Sequence, residues 1–589
     1  MPLGHADPMK FIAPFVLLAL SACATTQGVS TSAAPVDIRI IGINDFHGNL
    51  DPPKVSTDLP QADGSKVRIP SGGVAYLASA IDSLKAGQAN TVVVGAGDII
   101  GASPLSSSLF LDEPTIMAMD MAGLEFSAVG NHEFDRGTEE LQRMQYGGCE
   151  AYTKAEPCRI DKPFAGAKYR MLAANTFRAD GSTLFPGTAL KSFGSGKSKV
   201  TVGFIGMTLR GTGLMVSAGR IKGISFADEA DTANALVPKL KAAGADIIVV
   251  LIHEGLSNNS GNINDAGCAG LTGALFPILD RLDPAVDLVV SGHTHQAYVC
   301  DYANLNKARP VLVTSAGSRG QIVTGIDLKY DPASRKLLSK TARNVVVQSE
   351  AFSTVRGDTP LVPAYPAFQP RADVAALVAR YREAAKAEET HVIGTLEGPA
   401  TRASGTTGES LFGNLVADAQ LAATRATDDG GAQIAFMNPG GLRADVLPDA
   451  SGKVTFGSVF QAQPFSNQLV VKTFTGKQIR DLLEQQFTDP AYVRVLSVSA
   501  GFRFGYDLSR PAGQRVLFAT LDGVALEDGK NYRVVTSDFL GNGGDGFSVL
   551  KDGTNTTAGP VDLEALVAWL ARESVTALPA LGRVENKTP

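Results

Sequence analysis

Histidine, cysteine and tryptophan are scarce in this chain: seven, five and one among 589 residues. There is no block of lysine and arginine; 53 basic residues face 59 acidic ones, a formal net charge of −6. That removes the basic stripe by which proteins hold nucleic-acid polymers. No C-x-x-C pair occurs, so the cysteines lack the spacing of a zinc site. Beyond the N-terminal segment no apolar run reaches the length of a membrane span, and no fixed-period repeat is visible. What remains is an ordinary globular composition, 44% hydrophobic and 19% charged, in a chain too long for one core.

The N-terminus has its own character. Met9-Lys10 precedes FIAPFVLLAL and then SACATT: a positive charge, a short apolar core and small residues. This describes an export signal over 1–22, with Met9 as an alternative start. LSAC, Leu20 to Cys23, resembles the bacterial lipobox, which would leave Cys23 lipidated and the chain periplasmic, anchored to the outer membrane. The alternative is an ordinary secretory signal and a soluble periplasmic or secreted protein. With Cys23 set aside, four cysteines enter an oxidising compartment. Of the three pairings, Cys149–Cys158 and Cys268–Cys300 are expected, because each pair falls within one half of the motif map below.

From Val36 to about Tyr330, apolar β-type runs alternate with segments of helical spacing. The runs are VDIRIIGIND, NTVVVGAGD, FSAVGNHEFD, KVTVGFIGM, ADIIVVLIHE, VDLVVSGHTH and RPVLVTSAG. Between them lie stretches such as GGVAYLASAIDSLKAG and ADTANALVPKLKAAG, which end at glycine. This alternation predicts an α/β domain with a buried sheet. A linker rich in proline follows around 350–370, then the amphipathic helix RADVAALVARYREAAKAEET. A second region runs from about His391 to Arg583, with another helix, SLFGNLVADAQLAATRA, glycine turns and short strands.

Five of the seven histidines sit in short polar inserts that follow apolar runs. Residues i and i+2 of a strand face one side, so SGHTH aims His293 and His295 into one space, and NDFHGN does the same with Asp45 and His47. GAGD ends with Asp98, GNHEFD supplies Asn131, His132 and Asp135, and LIHEG supplies His253. A single histidine at a strand end is ordinarily a satisfied loop residue; the set is not so readily dismissed. Ligands of open α/β sheets bind beyond the carboxyl ends of the strands. Carboxylates, an amide and imidazoles there make a metal-ligand inventory suited to zinc, manganese or iron. One shared carboxylate with ligands for two ions indicates a dinuclear site.

Together, DFHGN, GDIIGASPLSS, GNHEFDRG, HEG and SGHTH resemble the calcineurin-like metallophosphoesterases. Their order and the second region are similar to the bacterial 5′-nucleotidase and UDP-sugar hydrolase family, over nearly the whole exported chain. The resemblance implies an α/β fold: a four-layer αββα metallophosphoesterase domain at 36–345, a linker and hinge-region helix at 346–392, and a C-terminal α/β (α+β) nucleotide-binding domain at 393–585. It implies one divalent ion on Asp45, His47, Asp98 and His295 and another on Asp98, Asn131, His253 and His293, with zinc favoured over manganese, cobalt or calcium. His132 and Asp135 match the family's His–Asp pair, in which the carboxylate orients an imidazolium that stabilises phosphoryl or leaving-group charge. Hydroxide on two ions roughly 3.5–4 Å apart would attack phosphorus in line, without a covalent phosphoenzyme.

By the same resemblance, selectivity comes from the second domain. MNPGGLRAD carries Asn438 and Arg443, QPFSN carries Phe465, and DFLGNGGDGF carries Phe539 and Asp545. The two phenylalanines would sandwich a base, at about 1–3 kcal/mol per stacked base. Asp545 would accept from ribose hydroxyls, and Arg443 would fork onto phosphate. Family members often carry an arginine where this chain has Thr406; Arg402 is the nearest substitute. Glu409 and Asn414 read as helix-start and packing residues. Rotation of the second domain is expected about the 371–390 helix. The expected activity is an exported, metal-dependent release of phosphate from nucleoside 5′-monophosphates. UDP-sugar hydrolysis and 2′,3′-cyclic nucleotide phosphodiesterase activity are the enzymatic alternatives. A catalytically silent nucleotide-binding or adhesion lipoprotein is the alternative of another class. The expected partners are a small nucleotide and, through Cys23, a membrane.

Overall fold

The computed structural model describes residues 34–589 apart from 62, 154, 217, 355–356, 466 and 489–492. The signal segment and Cys23 lie outside the described residues. No helix among the described residues is long and apolar enough to cross a membrane.

All seven apolar runs form strands of two stacked sheets. In the first half these are β1 (Val36–Ile43), β2 (Thr91–Ala96), β3 (Leu124–Ala128), β4 (Arg170–Leu172), β5 (Thr188–Phe193), β6 (Val200–Met207), β7 (Ile247–Ile252), β8 (Leu288–Ser291), β9 (Ala297–Asp301), β10 (Leu312–Ala316), β11 (Ile322–Asp331) and β12 (Lys336–Val346). One sheet has the order β12-β11-β1-β2-β3-β4 and the other β9-β10-β8-β7-β6-β5. Strands β1 to β4 pair in parallel, as do β6, β7, β8 and β10, so carboxyl ends gather along one edge.

The runs are apolar on both faces because both faces are buried. Ile38 and Ile40 of β1, Val92 and Val94 of β2, and Val249 and Leu251 of β7 point between the sheets. Ile41, Ile43 and Val93 point outward, beneath helices α1 (Val74–Lys85) and α3 (Glu113–Ala122). Ile248, Val250 and Ile252 lie beneath α4 (Glu229–Ala242) and α5 (Leu275–Arg281). The result is four layers, αββα. Phe126 and Phe204 meet between the sheets with ring centroids 5.1 Å apart; Phe204→Ala there would cost about 3–5 kcal/mol.

The helix after the linker, α6 (Ala372–Glu389), belongs to the first core. Val374, Leu377, Val378 and Tyr381 recur at helical spacing and pack with residues of α1 and α3. Tyr381 donates to Asp161 at 2.6 Å, and both Arg380 nitrogens reach the same carboxylate at 2.9 and 2.8 Å.

The second half builds on α7 (Leu411–Thr424), which Ser410 caps by accepting from Gly413 N–H. Its five-stranded sheet contains β13 (Ile434–Met437), β14 (Gln468–Thr475), β15 (Ser497–Val498), β19 (Asn531–Ser537) and β20 (Thr554–Val561), in the order β15-β13-β19-β14-β20. A smaller sheet holds β16 (Phe502–Tyr506), β17 (Val516–Leu521), β18 (Val524–Ala525) and β21 (Val584–Asn586), and shares a core cluster with α8 (Gly476–Gln485). Leu105, in α2 (Leu105–Ser108) of the first half, inserts into the core cluster of the second, which joins the two. Disulfides link Cys149 to Cys158 and Cys268 to Cys300.

Candidate active site

The carboxyl ends of the strands bring two donor clusters together: Asp45, His47 and His295, and Asp98, His253 and His293. Within each, one potential ligand atom per residue lies within 4.8 Å of the others. His47 Nε2 and His295 Nε2 approach to 3.0 Å, with Asp45 Oδ1 at 3.9 and 3.5 Å from them. His253 Nε2 lies 3.0 Å from Asp98 Oδ2 and 3.1 Å from Asn131 Oδ1. Asp98 Oδ2 is also 3.7 Å from His47 Nε2, so this carboxylate stands between the clusters.

The donor chemistry fits a pair of divalent cations. His47 Nδ1 donates to Gly101 O at 2.9 Å and His253 Nδ1 to Ala96 O at 2.8 Å, which turns each Nε2 lone pair inward. Burial holds His47 and His295 well below the usual imidazole range and pushes His293 down to about 3, keeping all three in the neutral form a metal requires. Burial also pushes Asp45 up to about 7. Burial opposes a charge on His253, but Asp98 at 3.0 Å raises the imidazole to about 10. Burial on Asp98 is in turn outweighed by His253 and His132, which hold it well below the usual carboxylate range; a divalent cation between them would take the place of the His253 proton.

A residue that sequence reasoning passed over organises these loops. Glu133 is 5% exposed. Its Oε2 accepts from Asp98 N–H (2.9 Å) and Gly130 N–H (2.6 Å), and its Oε1 from Ile99 N–H (2.7 Å) and Ile100 N–H (3.4 Å). One carboxylate therefore sets the turn that presents Asp98 and the turn that presents Asn131. Asn44 works similarly on Asp45: its Nδ2 donates to Asp45 Oδ2 at 2.7 Å while its Oδ1 accepts from Ala316 N–H at 2.6 Å. Gly130 is required by space, since a Cβ there would sit 2.2 Å from Asp98 Oδ1.

His132 and Asp135 flank the cations' place. His132 Nδ1 lies 3.1 and 3.0 Å from the two Asp135 oxygens, and His132 N–H donates to Asp98 Oδ1 at 2.9 Å. Burial opposes a charge on His132, but Asp135 and Asp98 outweigh it and raise the imidazole above its usual range. The second half reaches this point: the Phe465 ring stacks on His132 at 5.5 Å and 12°, and the Arg443 guanidinium lies 5.8 Å from the Phe465 centroid. Burial, the largest influence, lowers Arg443, which Asp98 and Asp135 partly offset.

A cavity of about 910 Å³ opens between the halves, lined by Asn131, His132, His293 and His295 on one side and Asn438, Arg443, Phe465, Phe539 and Asp545 on the other. Asn438 Nδ2 donates to Asp545 Oδ2 at 2.7 Å, and Asp545 takes φ 54°, a left-handed conformation, in its glycine turn. Arg402 does not line the cavity; its Nη1 donates to Leu442 O at 3.1 Å and its Nε is 3.6 Å from Asp445 Oδ1. Thr406 O accepts from Asn586 Nδ2. Glu409 accepts from Asn414 Nδ2, Gly582 N–H and Arg583 N–H, all away from the cavity.

Two family models match the chain: calcineurin-like phosphoesterase over residues 38–297 and 5′-nucleotidase, C-terminal domain, over residues 392–552. Cell wall protein Lmo0130 of Listeria monocytogenes is 32% identical over 584 residues, covering 94% of this chain and 69% of that protein. Endonuclease YhcR of Bacillus subtilis is 28% identical over 539 residues, covering 91% of this chain; the chain spans only 40% of its length. Among solved structures, the 5′-nucleotidase precursor from Thermus thermophilus matches with TM-score 0.71 and 26% identity, over 93% of this chain and 99% of that one.

Proposed function

The chain belongs to the 5′-nucleotidase family of calcineurin-like phosphoesterases, and on that premise we propose that it is an exported, metal-dependent hydrolase releasing phosphate from nucleoside 5′-monophosphates. The observation that carries this reading is the pair of donor clusters, flanked by His132 and Asp135, facing Arg443 across one cavity.

Asp45, His47, Asp98 and His295 would hold one divalent cation, and Asp98, Asn131, His253 and His293 the other. Such ions supply Lewis-acid chemistry: they lower the pKa of bound water and neutralise phosphoryl oxygens. The chain's own residues do the rest. Arg443 brings a fork of donors to the phosphoryl oxygens, and its lack of an ion-pair partner among the described residues leaves that fork for a ligand. Asp135 fixes the His132 ring and favours its imidazolium, which donates to the phosphoryl or leaving oxygen as charge develops. Phe465 and Phe539 form apolar walls for the base, and Asp545 accepts from ribose hydroxyls. Arg402, held at Asp445, adds positive potential behind Arg443.

The cavity volume lies near the upper end of the range for small-molecule sites, about 300–1,000 Å³. That room favours UDP-sugar hydrolysis as the second reading. Retention of both donor clusters speaks against a silent binding lipoprotein. Zinc, with manganese, cobalt or calcium as alternatives, and periplasmic anchoring through Cys23 complete the proposal.

Metal-stripped protein reconstituted in turn with zinc, manganese, cobalt, magnesium and calcium, and given AMP, UDP-glucose and 2′,3′-cyclic AMP, tests it. AMP is expected to be cleaved fastest. No phosphate from any nucleotide with any metal would end the proposal.

A further inference from the structure

One buried carboxylate in the cavity wall has no part in the chemistry above. Asp562 is 2% exposed and lines the cavity together with Asn467, Ser537 and Phe539. It opens helix α9 (Asp562–Leu570), and its N–H donates to Asn467 O at 2.9 Å. Its carboxylate accepts from Leu563 N–H at Oδ1 (2.7 Å) and from Asn467 Nδ2 at Oδ2 (3.3 Å). No lysine, arginine or histidine pairs with it among the described residues. A buried carboxylate ordinarily has a cation or a full set of donors; this one has two donors for about four acceptor positions.

Asn467 extends the same wall. With Asp562 ionised its nitrogen faces Asp562, because an ionised carboxylate only accepts. Its oxygen is therefore left over, and no protein donor meets that oxygen among the described residues. Asn467 Oδ1 and the Asp562 carboxylate thus present acceptors alone, beside the aromatic walls. Helix capping does not account for this: Val561 precedes the helix as its cap residue, and the Asp562 carboxylate meets only the neighbouring Leu563 N–H, a bond an asparagine would supply without burying a charge.

We infer that Asp562 and Asn467 read the hydrogen-bonding edge of the base and select guanine nucleotides over uracil nucleotides. Guanine offers N1–H and an N2 amino group side by side, two donors for two acceptors. Adenine and cytosine offer one amino group. Uracil offers one N–H between two carbonyls, which would face the carboxylate. The inference rests on the nucleotide-hydrolase reading, since it names the base that site prefers.

The test uses the full metal-loaded chain at pH 8. We expect kcat/KM for GMP to exceed that for UMP by about 10-fold or more, with AMP and CMP between, as when a site's buried acceptors go unpaired. Asp562→Asn keeps the bond to Leu563 N–H and should bring the ratio near unity, by raising KM for GMP; turnover of p-nitrophenyl phosphate, which has no base, should not change. Asn467→Ala should lower the ratio independently. Equal wild-type kcat/KM for GMP and UMP, or an Asp562→Asn protein that keeps the ratio, would overturn the inference. Calorimetric titration of metal-stripped protein with guanosine and uridine separates the two proposals. Tighter guanosine binding, lost in Asp562→Asn, supports the base reading even if no nucleotide is hydrolysed, and equal binding refutes it even if all are.

Discussion

Glu133→Gln is the substitution that most directly tests how the donor clusters are held. The side chain keeps its length, so packing is unchanged, but one oxygen becomes an NH2 group. The amide oxygen will turn toward Asp98 N–H and Gly130 N–H, bonded at 2.9 and 2.6 Å, because Ile100 N–H at 3.4 Å is the weakest donor to abandon. Ile99 N–H, now at 2.7 Å, then faces an amide nitrogen and is left unpaired. An unsatisfied buried N–H costs roughly 1–3 kcal/mol, and the remaining bonds lose their charge assistance. The sum is about 3 kcal/mol, or about a 5 °C fall in melting temperature for a domain of this size. Because the disturbed turn carries Asp98, metal affinity falls with stability, by about 10–100-fold as for other groups that orient metal ligands. Differential scanning calorimetry with and without added zinc, and elemental analysis after dialysis, read both effects. A Glu133→Gln protein with unchanged melting and full metal content would refute the idea that this carboxylate sets the two turns.

Other perturbations follow from the same geometry. His132→Ala should lower phosphate release about 10²–10⁴-fold while metal content by elemental analysis stays the same; loss of metal would show His132 to be a ligand. Phe465→Ala removes a stacking wall, and steady-state kinetics should show KM for nucleotides rising about 10-fold, with much less change for p-nitrophenyl phosphate. Burial pushes Asp562 from 3.8 up to about 7, a carboxyl that keeps its proton longer folded than unfolded. Its contribution is therefore most favourable at low pH and is lost as pH rises from 3.8 through about 7. At about 1.4 kcal/mol per pH unit, Asp562→Asn should gain up to about 4 kcal/mol at pH 8 and clearly less at pH 5; a gain in urea unfolding equal at both values would refute this. Stripping metal should lower the melting temperature, since ions at 1,000 times their Kd each contribute about 4 kcal/mol; identical calorimetric traces would refute it.

The sequence was most informative where chemistry limits the choice of residue. Only a few side chains ligate metals, and five of seven histidines in inserts after apolar runs marked the edge where both clusters lie. Runs such as ADIIVVLIHE were legible as strands because both faces are buried, so no polar alternation interrupts them. Relations between distant segments were not legible. Glu133 is an unremarkable residue of GNHEFD until folding brings it against the backbone after Asp98. The helix after the linker reads as a connector, yet its apolar stripe is part of the first core. The stack of Phe465 on His132 joins residues of different domains. No local pattern encodes such pairs.

Backbone conformation adds an argument that neither motif nor distance supplies. Asp45, His47, Asp98, His293 and His295, five of the six residues in the donor clusters, have φ between 49° and 70°. Side chains of L-residues crowd the backbone there, at about 1–3 kcal/mol each. Five such residues sum to roughly 5–15 kcal/mol, as large as the whole stability of a typical domain. Glycine at any of them would relieve the strain at once. Aspartate and histidine stand at all five, where glycine would be the unstrained choice. Ten other non-glycine residues among those described also take positive φ, so the fold bears this conformation elsewhere without a ligand; what sets these five apart is that all carry donor side chains and converge at one edge. That concentration of strained donor residues at one edge supports a metal-binding role for the two clusters.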